Sequence, residues 1–248
     1  MTGTDVESGS DAEVALAAAS AGAAVVRRLF HQPLVRYDKS STDFATQADL
    51  ESEEAIRAVI LAARPSDTFV GEERGERLGA EDARRWLVDP LCGTLNYAAG
   101  TPLAATNVAL ATSAGVQVAV SADPIAEEYF WTDGEAAWLR QGGLDTRLEP
   151  TASSSLVDVN CDGLGDFIGP QLVADSELRS RYGPRVLSTT LALAWVAAGQ
   201  RTAYITDGDL AGSVHFTAGI ALCRDAGCVV SDLMGDPTYY RTRPHSGR

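Results

Sequence analysis

The sequence predicts an α+β protein built from layered helices and sheets, and three observations carry that expectation. Two stretches with helical spacing of apolar residues precede any strand-like run. Short apolar runs then follow one another between about residues 67 and 140, punctuated by Gly, Asp and Pro. Beyond Pro150, strand-like and helix-like segments alternate again. A chain of 248 residues, 45% of them hydrophobic, can bury a full core without disulfides or metals.

The elements follow in order. Residues 1–10 are small and polar and read as a disordered tail. A helix is expected from Asp11 to Phe30, capped by Ser10 or Asp11, with Arg27 and Arg28 well placed at its C-terminal end. Tyr37 to Thr46 is polar and shows no period. Gln47 to Ala63 is a second helix, with Ile56, Val59, Ile60 and Ala63 on one face and Pro65 past its end. Strands are expected at 67–71 and 86–89, then paired strands at 106–111 and 116–121. A hairpin at 128–132 and 136–140 turns at Asp133-Gly134. After Pro150 the reading gives a strand at 156–160, helices at 169–181 and 187–198, a strand at 202–206 and a helix at 216–226. Val229 and Val230 open a final strand. The chain thus divides into 11–150, which carries the acidic motifs, and 151–248, which carries His215.

Charge narrows the function. Twenty Lys and Arg stand against 34 Asp and Glu, a formal net of -14, which repels a phosphate backbone and argues against a nucleic-acid partner. A small anion remains possible, because one cation or helix N-terminus can hold a phosphate locally. The only lysine is Lys39. The apolar stretch 12–26 is alanine-rich and shorter than the ~20 residues a membrane span needs. It also lacks the basic flank of a signal peptide, so no membrane association and a cytoplasmic location are expected. No pair among Cys92, Cys161, Cys223 and Cys228 has C-x-x-C spacing. The last three read as buried small hydrophobes. His31 and His245 read as surface residues.

Acidic residues gather at the predicted strand ends: Asp49, Glu72-Glu73 and Asp89. Carboxylates collected in this way repel one another unless a proton or a hard cation such as Mg²⁺ joins them. In order, the segments Lys39-Ser-Ser-Thr-Asp-Phe-Ala-Thr-Gln-Ala-Asp49, Phe69-Val-Gly-Glu-Glu73 and Trp86-Leu-Val-Asp-Pro-Leu-Cys-Gly-Thr-Leu-Asn-Tyr97 resemble the signatures of the inositol monophosphatase family. Val214-His-Phe-Thr-Ala-Gly219, running on to Asp225-Ala-Gly-Cys228, resembles that family's W-D-x-A-A-G…E-A-G-G. The resemblance implies the layered α-β-α-β-α sandwich of the inositol monophosphatase and fructose bisphosphatase type, a small phosphorylated or anionic substrate, and a homodimer. It makes Glu72, Asp89 and the Leu91 carbonyl ligands of one Mg²⁺. Asp49 and Thr94 become the pair that orients the attacking water. The amides of Gly93 and Thr94 receive phosphate, and Lys39 falls at the edge of the site.

Two family aspartates are replaced, by Cys92 and His215. Leu187-Ser-Thr-Thr190 stands where the family has G-[ST]-A-A, so bulkier groups intrude on the sugar side, and myo-inositol phosphate itself is disfavoured. Cys228 stands for a glycine and Val214 for a tryptophan. Three readings follow. Cys92 and His215 form a metal-free nucleophilic dyad oriented by Asp89, with a lowered thiol pKa, tailored to specialised metabolism, and ordinary Mg²⁺-dependent hydrolysis is weak or lost. Alternatively the chain remains a phosphomonoesterase in which His215 serves as general acid, or in which Asp89, Cys92 and His215 hold Zn²⁺. In the third reading the site is inactive and the fold serves as a binding protein.

Overall fold

The structure, a computed structural model, describes residues 9–40, 43–162, 168–207, 210, 212–232 and 234–237, with backbone alone for 81–83. The expected tail up to residue 8, and His245, lie outside the described residues.

The first helix, α1 (Asp11–Leu29), starts in a reciprocal cap: Ser10 accepts from the Glu13 amide, and the Glu13 carboxylate accepts from the Ser10 amide. The ribbon β1 (Arg36–Asp38) and β2 (Phe44–Thr46) follows, then α2 (Gln47–Ala63). Next come β3 (Asp67–Gly71), β4 (Gly75–Arg77), β5 (Glu81–Cys92) and the single turn α3 (Thr94–Ala98). Five strands in sequence then form a meander: β6 (Ala105–Thr112), β7 (Gly115–Asp123), β8 (Glu128–Thr132), β9 (Ala137–Gln141) and β10 (Leu144–Arg147). The remainder is β11 (Leu156–Val159), α4 (Gly169–Ala174), α5 (Ser176–Arg181), β12 (Gly183–Val186), α6 (Leu191–Ala197), β13 (Ala203–Ile205) and α7 (Thr217–Ala226).

Eight strands form one mixed sheet in the order β10-β9-β8-β7-β6-β5-β3-β4, in which only β3 and β5 run parallel. A second sheet, β12-β11-β13, is wholly parallel. The pleat divides the large sheet by residue size. Val108, Leu110, Val118 and Val120 project to one face, where Val14, Ala18, Ile56 and Ile60 of α1 and α2 cover them. Ala109 and Ala119 project to the other, where Ala218 and Ala221 bring α7 in close. Small side chains on that face let the helix carrying the 215 region approach the strand carrying Asp89. Packing also crosses the boundary near residue 150, since Phe130 and Leu148 share a cluster with Ala194 and Leu222. Among the described residues no helix is long and apolar enough to cross a membrane.

Several local expectations are corrected. The polar stretch 37–46 contains β1 and β2, paired Arg36 to Thr46 and helped by the Arg36 guanidinium 3.8 Å above the Phe44 ring. The helix expected at 169–181 breaks at Asp175, which ends α4 and caps α5 by accepting from the Leu178 amide. Residues 183–186 pair with β11 instead, so the next helix begins at Leu191 and not Leu187. Val229 and Val230 form no strand, and Val229 is almost fully exposed. Among the described residues only an isolated Ser231–Pro237 bridge follows. Strands β4 and β10, exposed along their length, were not anticipated.

The crossing of α1 over α2 depends on Gly22. A Cβ there would lie 2.7 Å from Ile56 Cγ1 and 2.8 Å from Ser52 Oγ. Ser52 in turn donates to the Pro90 carbonyl beside the acidic cluster. Alanine gains about 1 kcal/mol of helix propensity over glycine, while overpacking a tight contact costs about 1–3 kcal/mol. Gly22→Ala is therefore expected to lower stability despite the better helix former. Urea denaturation should show a lower midpoint with an unchanged m-value.

Candidate active site

The C-terminal ends of the parallel pair β3 and β5 face the N-terminus of α2, and side chains converge there. Thr46 and Asp49 form the α2 capping box. The Thr46 amide and hydroxyl both donate to one Asp49 oxygen, at 2.7 and 2.6 Å. The other oxygen accepts from the Thr94 hydroxyl at 3.0 Å, and that hydroxyl also lies 3.1 Å from the Leu91 carbonyl. Burial pushes Asp49 up to about 6, against the lowering pull of the Thr46 and Thr94 bonds. Gly93 caps α3 at φ 96°, a left-handed conformation suited to glycine. A Cβ there would also strike the Leu103 carbonyl at 2.6 Å. Gly93 thus aims the turn that brings Thr94 to Asp49.

Glu72 follows β3 and is tied to β5 by its amide, which donates to the Val88 carbonyl. Lys39 reaches in from beyond β1 and donates to Glu72 at 3.1 Å and to Glu73 at 2.7 Å. Burial works against the charged form of Lys39, but the two glutamates outweigh it and hold its ammonium above the ordinary value. Burial, and next the Asp89 carboxylate, push Glu72 well above the usual carboxylate range, only partly offset by His215 and Lys39.

Asp89 is fully buried in β5. One oxygen accepts from the Leu91 amide at 3.2 Å, and the other lies 2.7 Å from His215 Nδ1. An ionised carboxylate only accepts, so Nδ1 carries the hydrogen. That bond, opposed by burial and supported by the charges of Asp89 and Glu72, raises the imidazole well above its ordinary value. Glu72 lies 3.9 Å from the same nitrogen. Cys92 closes the group, and one ligand atom each of Asp89, Cys92 and His215 lies within 4.8 Å of the others. Burial pushes the Cys92 thiol well above its ordinary value, with Asp89 and Glu72 adding to the rise and hydrogen bonds with Thr190 opposing it. The lowered thiol required by a metal-free dyad is therefore not what this geometry provides. Adjacent carboxylates and burial favour the neutral S–H.

All the residues singled out in the sequence form one connected group. Contacts run from Lys39 through Glu72, His215, Asp89, Leu91 and Thr94 to Asp49, with Cys92 and Gly93 between them. Sequence reading missed Glu53 and Asn107, and gave Thr190 only a steric role. Glu53 is buried one turn after Asp49 and accepts from the Glu73 and Arg74 amides at 2.7 and 3.0 Å, fixing the turn that presents Glu72. A polar residue four positions from Asp49 on the inward face of α2 was the available signal. Asn107 donates to Thr190 at 2.8 Å and lies 3.4 Å from the His215 carbonyl, stitching the 190 and 215 regions to β6. Two of the three cysteines read as buried hydrophobes, Cys161 and Cys228, are partly exposed because they lie in coil outside the sheets and helices, and only Cys223 is enclosed.

The donor chemistry fits a hard divalent cation. Glu72 and Asp89 offer oxygens whose repulsion adds to burial in raising Glu72, and the Leu91 carbonyl, 3.1 Å from the Thr94 hydroxyl, is a third oxygen two residues from Asp89. The set Asp89, Cys92 and His215 offers oxygen, sulfur and nitrogen instead, the donors preferred by zinc-like ions.

The inositol monophosphatase family matches residues 8–246. The chain is 35% identical over 204 residues to the inositol-1-monophosphatase of Rhizobium meliloti, covering 79% of this chain and 75% of that protein. It is 30% identical over 240 residues to the Nus factor SuhB of Salmonella typhimurium, covering 92% and 87%. Its fold superimposes on the extragenic suppressor protein suhB from Bartonella henselae with a TM-score of 0.77 at 27% identity, covering 86% and 84%. A match over nearly the whole chain, on the same mixed sheet that gathers Asp49, Glu72 and Asp89, makes this chain a member of the inositol monophosphatase family.

Proposed function

We propose that the chain hydrolyses a small phosphate monoester, with Glu72, Asp89 and the Leu91 carbonyl holding one Mg²⁺. The observation that carries this reading is the Leu91–Thr94–Asp49 linkage beside the two acidic ligands. The cation, when bound, polarises phosphoryl oxygen and lowers the pKa of a bound water. Asp49 is a carboxylate above about pH 6 and keeps the Thr94 hydroxyl directed at it. Thr94 Oγ then has lone pairs free to take a proton from an attacking water as its own passes to Asp49. The Gly93 and Thr94 amides receive the phosphate. His215, protonated and anchored through Nδ1 to Asp89, offers its Nε2 proton to the leaving oxygen. Thr190, buried and hydrogen-bonded to Asn107, is bulkier than the alanine of the family motif, which supports a substrate other than myo-inositol phosphate.

A specific observation also favours a second reading, in which Asp89, Cys92 and His215 hold a thiophilic ion: their three different donors already lie within 4.8 Å of one another. Such an ion must displace the Cys92 proton, so its binding weakens as pH falls.

Thr94→Ala and Asp49→Asn are each expected to lower kcat by about 10²–10⁴-fold, measured as phosphate release from a panel of small phosphate esters with Mg²⁺. Asp49 has a raised pKa and acts as the charged form. The wild-type rate should therefore fall as pH drops through about 6, and Asp49→Asn should lose that limb. A profile flat through pH 6 in the wild type would remove Asp49 from this role.

Cobalt loading separates the two metal readings. An ion at Asp89, Cys92 and His215 is expected to give a near-ultraviolet thiolate-to-cobalt band that Cys92→Ser abolishes. Cobalt binding without that band leaves the oxygen site alone.

A further inference from the structure

Helix α7 ends in a Schellman cap. Gly227 is left-handed at φ 97°, its amide donates to the Arg224 carbonyl at 2.9 Å, and the Cys228 amide donates to the Cys223 carbonyl at 2.8 Å. This motif places the side chain two positions past the helix against the one three positions before its end, a contact that is ordinarily hydrophobic. Both positions here are cysteines. The 2.8 Å bond limits their Cα–Cα separation to ~6.7 Å by covalent geometry, inside the span a disulfide bridges. Both side chains belong to the cluster around Leu222.

The two thiols differ in access. Cys223 is buried and donates to the Leu193 carbonyl of α6 at 3.3 Å. Cys228 is half-buried, and both line a cavity of about 1190 Å³ bordered by Leu193, Val196, Phe216 and Ile220. This cavity lies apart from Cys92 and the carboxylates of the site. One sulfur can be reached from solvent, and the other stands behind it.

We propose that Cys223 and Cys228 are a dithiol that a hydroperoxide converts reversibly into a disulfide. The Cys228 sulfur attacks the peroxide, the O–O bond breaks, and Cys228 becomes a sulfenic acid while an alcohol, or water from hydrogen peroxide, departs. The Cys223 sulfur then forms the S–S bond and displaces the sulfenic hydroxyl, which leaves as water with the Cys223 proton. Two thiols and one hydroperoxide thus give one disulfide, one water and one alcohol. An external dithiol returns the two electrons and two protons. Cys228 is the sulfur that solvent reaches, which assigns attack on the peroxide to it and leaves the buried Cys223 to resolve the sulfenic acid. Oxidation withdraws the Cys223 donor from Leu193, so the redox state reaches the packing of α6 against α7.

Arg224 lies between the two cysteines, which makes the test direct. The folded full-length chain is treated with hydrogen peroxide, its remaining thiols are alkylated, and it is digested with trypsin without reductant. The expected product is a disulfide joining peptides 202–224 and 225–241, absent after dithiothreitol. Cys223→Ser should leave Cys228 as a sulfenic acid captured by dimedone. The proposal is overturned if both peptides remain alkylated while Cys92 or Cys161 oxidises. It is also overturned if Cys223 and Cys228 pair as readily with those cysteines as with each other.

Discussion

The crowding of carboxylates at the ends of β3, β5 and α2 is the constraint on which the rest of this molecule depends. Asp49, Glu53 and Asp89 are buried, and Glu72 and Glu73 join them at the same corner. Two like charges 4 Å apart repel by ~4 kcal/mol at an effective dielectric constant near 20, a large fraction of a typical domain's ~5–15 kcal/mol of stability. The fold answers with donors. Thr46 and Thr94 serve Asp49, the Glu73 and Arg74 amides serve Glu53, Lys39 serves Glu72 and Glu73, and Leu91 and His215 serve Asp89. Even so, Asp49, Glu53 and Glu72 keep raised proton affinities. Burial is the first cause of all three rises, with neighbouring carboxylates adding to it, and a cation would offset both.

The surrounding architecture holds this arrangement in place. The larger face of the sheet anchors α1 and α2 through valine, leucine and isoleucine, each contributing ~1.5–3 kcal/mol when buried. The alanine face lets α7 sit close enough for His215, two residues before that helix, to meet Asp89. Asn107 lies on β6 between the two halves of the site and joins Thr190 to the His215 backbone. Its buried Oδ1 has no partner among the described protein atoms, so it stands as a polar atom left for water or ligand.

The fold was legible wherever burial imposed a period. The faces of α1 and α2 and the paired strands β6 and β7 follow directly from apolar spacing, and the site residues from their position at strand ends. Strands β1, β4 and β10 carry no such signal because they are exposed throughout, so no buried face imposes a period on them. The break at Asp175 reflects a choice between helix continuation and a new cap, which local spacing does not decide. The state of Cys92 was equally hidden. A helix N-terminus and a histidine suggested a lowered thiol, whereas the opposite shift comes from burial and from Asp89 and Glu72, whose distances only the tertiary structure sets.

The same electrostatics explains how a family site can tolerate Cys92 and His215 where the motif carries two aspartates. A neutral thiol and an imidazolium replace two negative charges with one positive charge, a change of three units within a few ångströms of Asp89. Nδ1 lies 2.7 Å from Asp89 Oδ2 and 3.9 Å from Glu72, so in the proposed reading His215 supplies counter-charge that a second dication would otherwise bring. In that reading one hard cation on the remaining oxygens then suffices. A thiophilic ion has to expel the protons of both Cys92 and His215 before it can bind. At neutral pH both shifts oppose that loss, which weights the chemistry toward a single-cation site with a cationic histidine, and the balance moves toward the sulfur-bound ion only as pH rises.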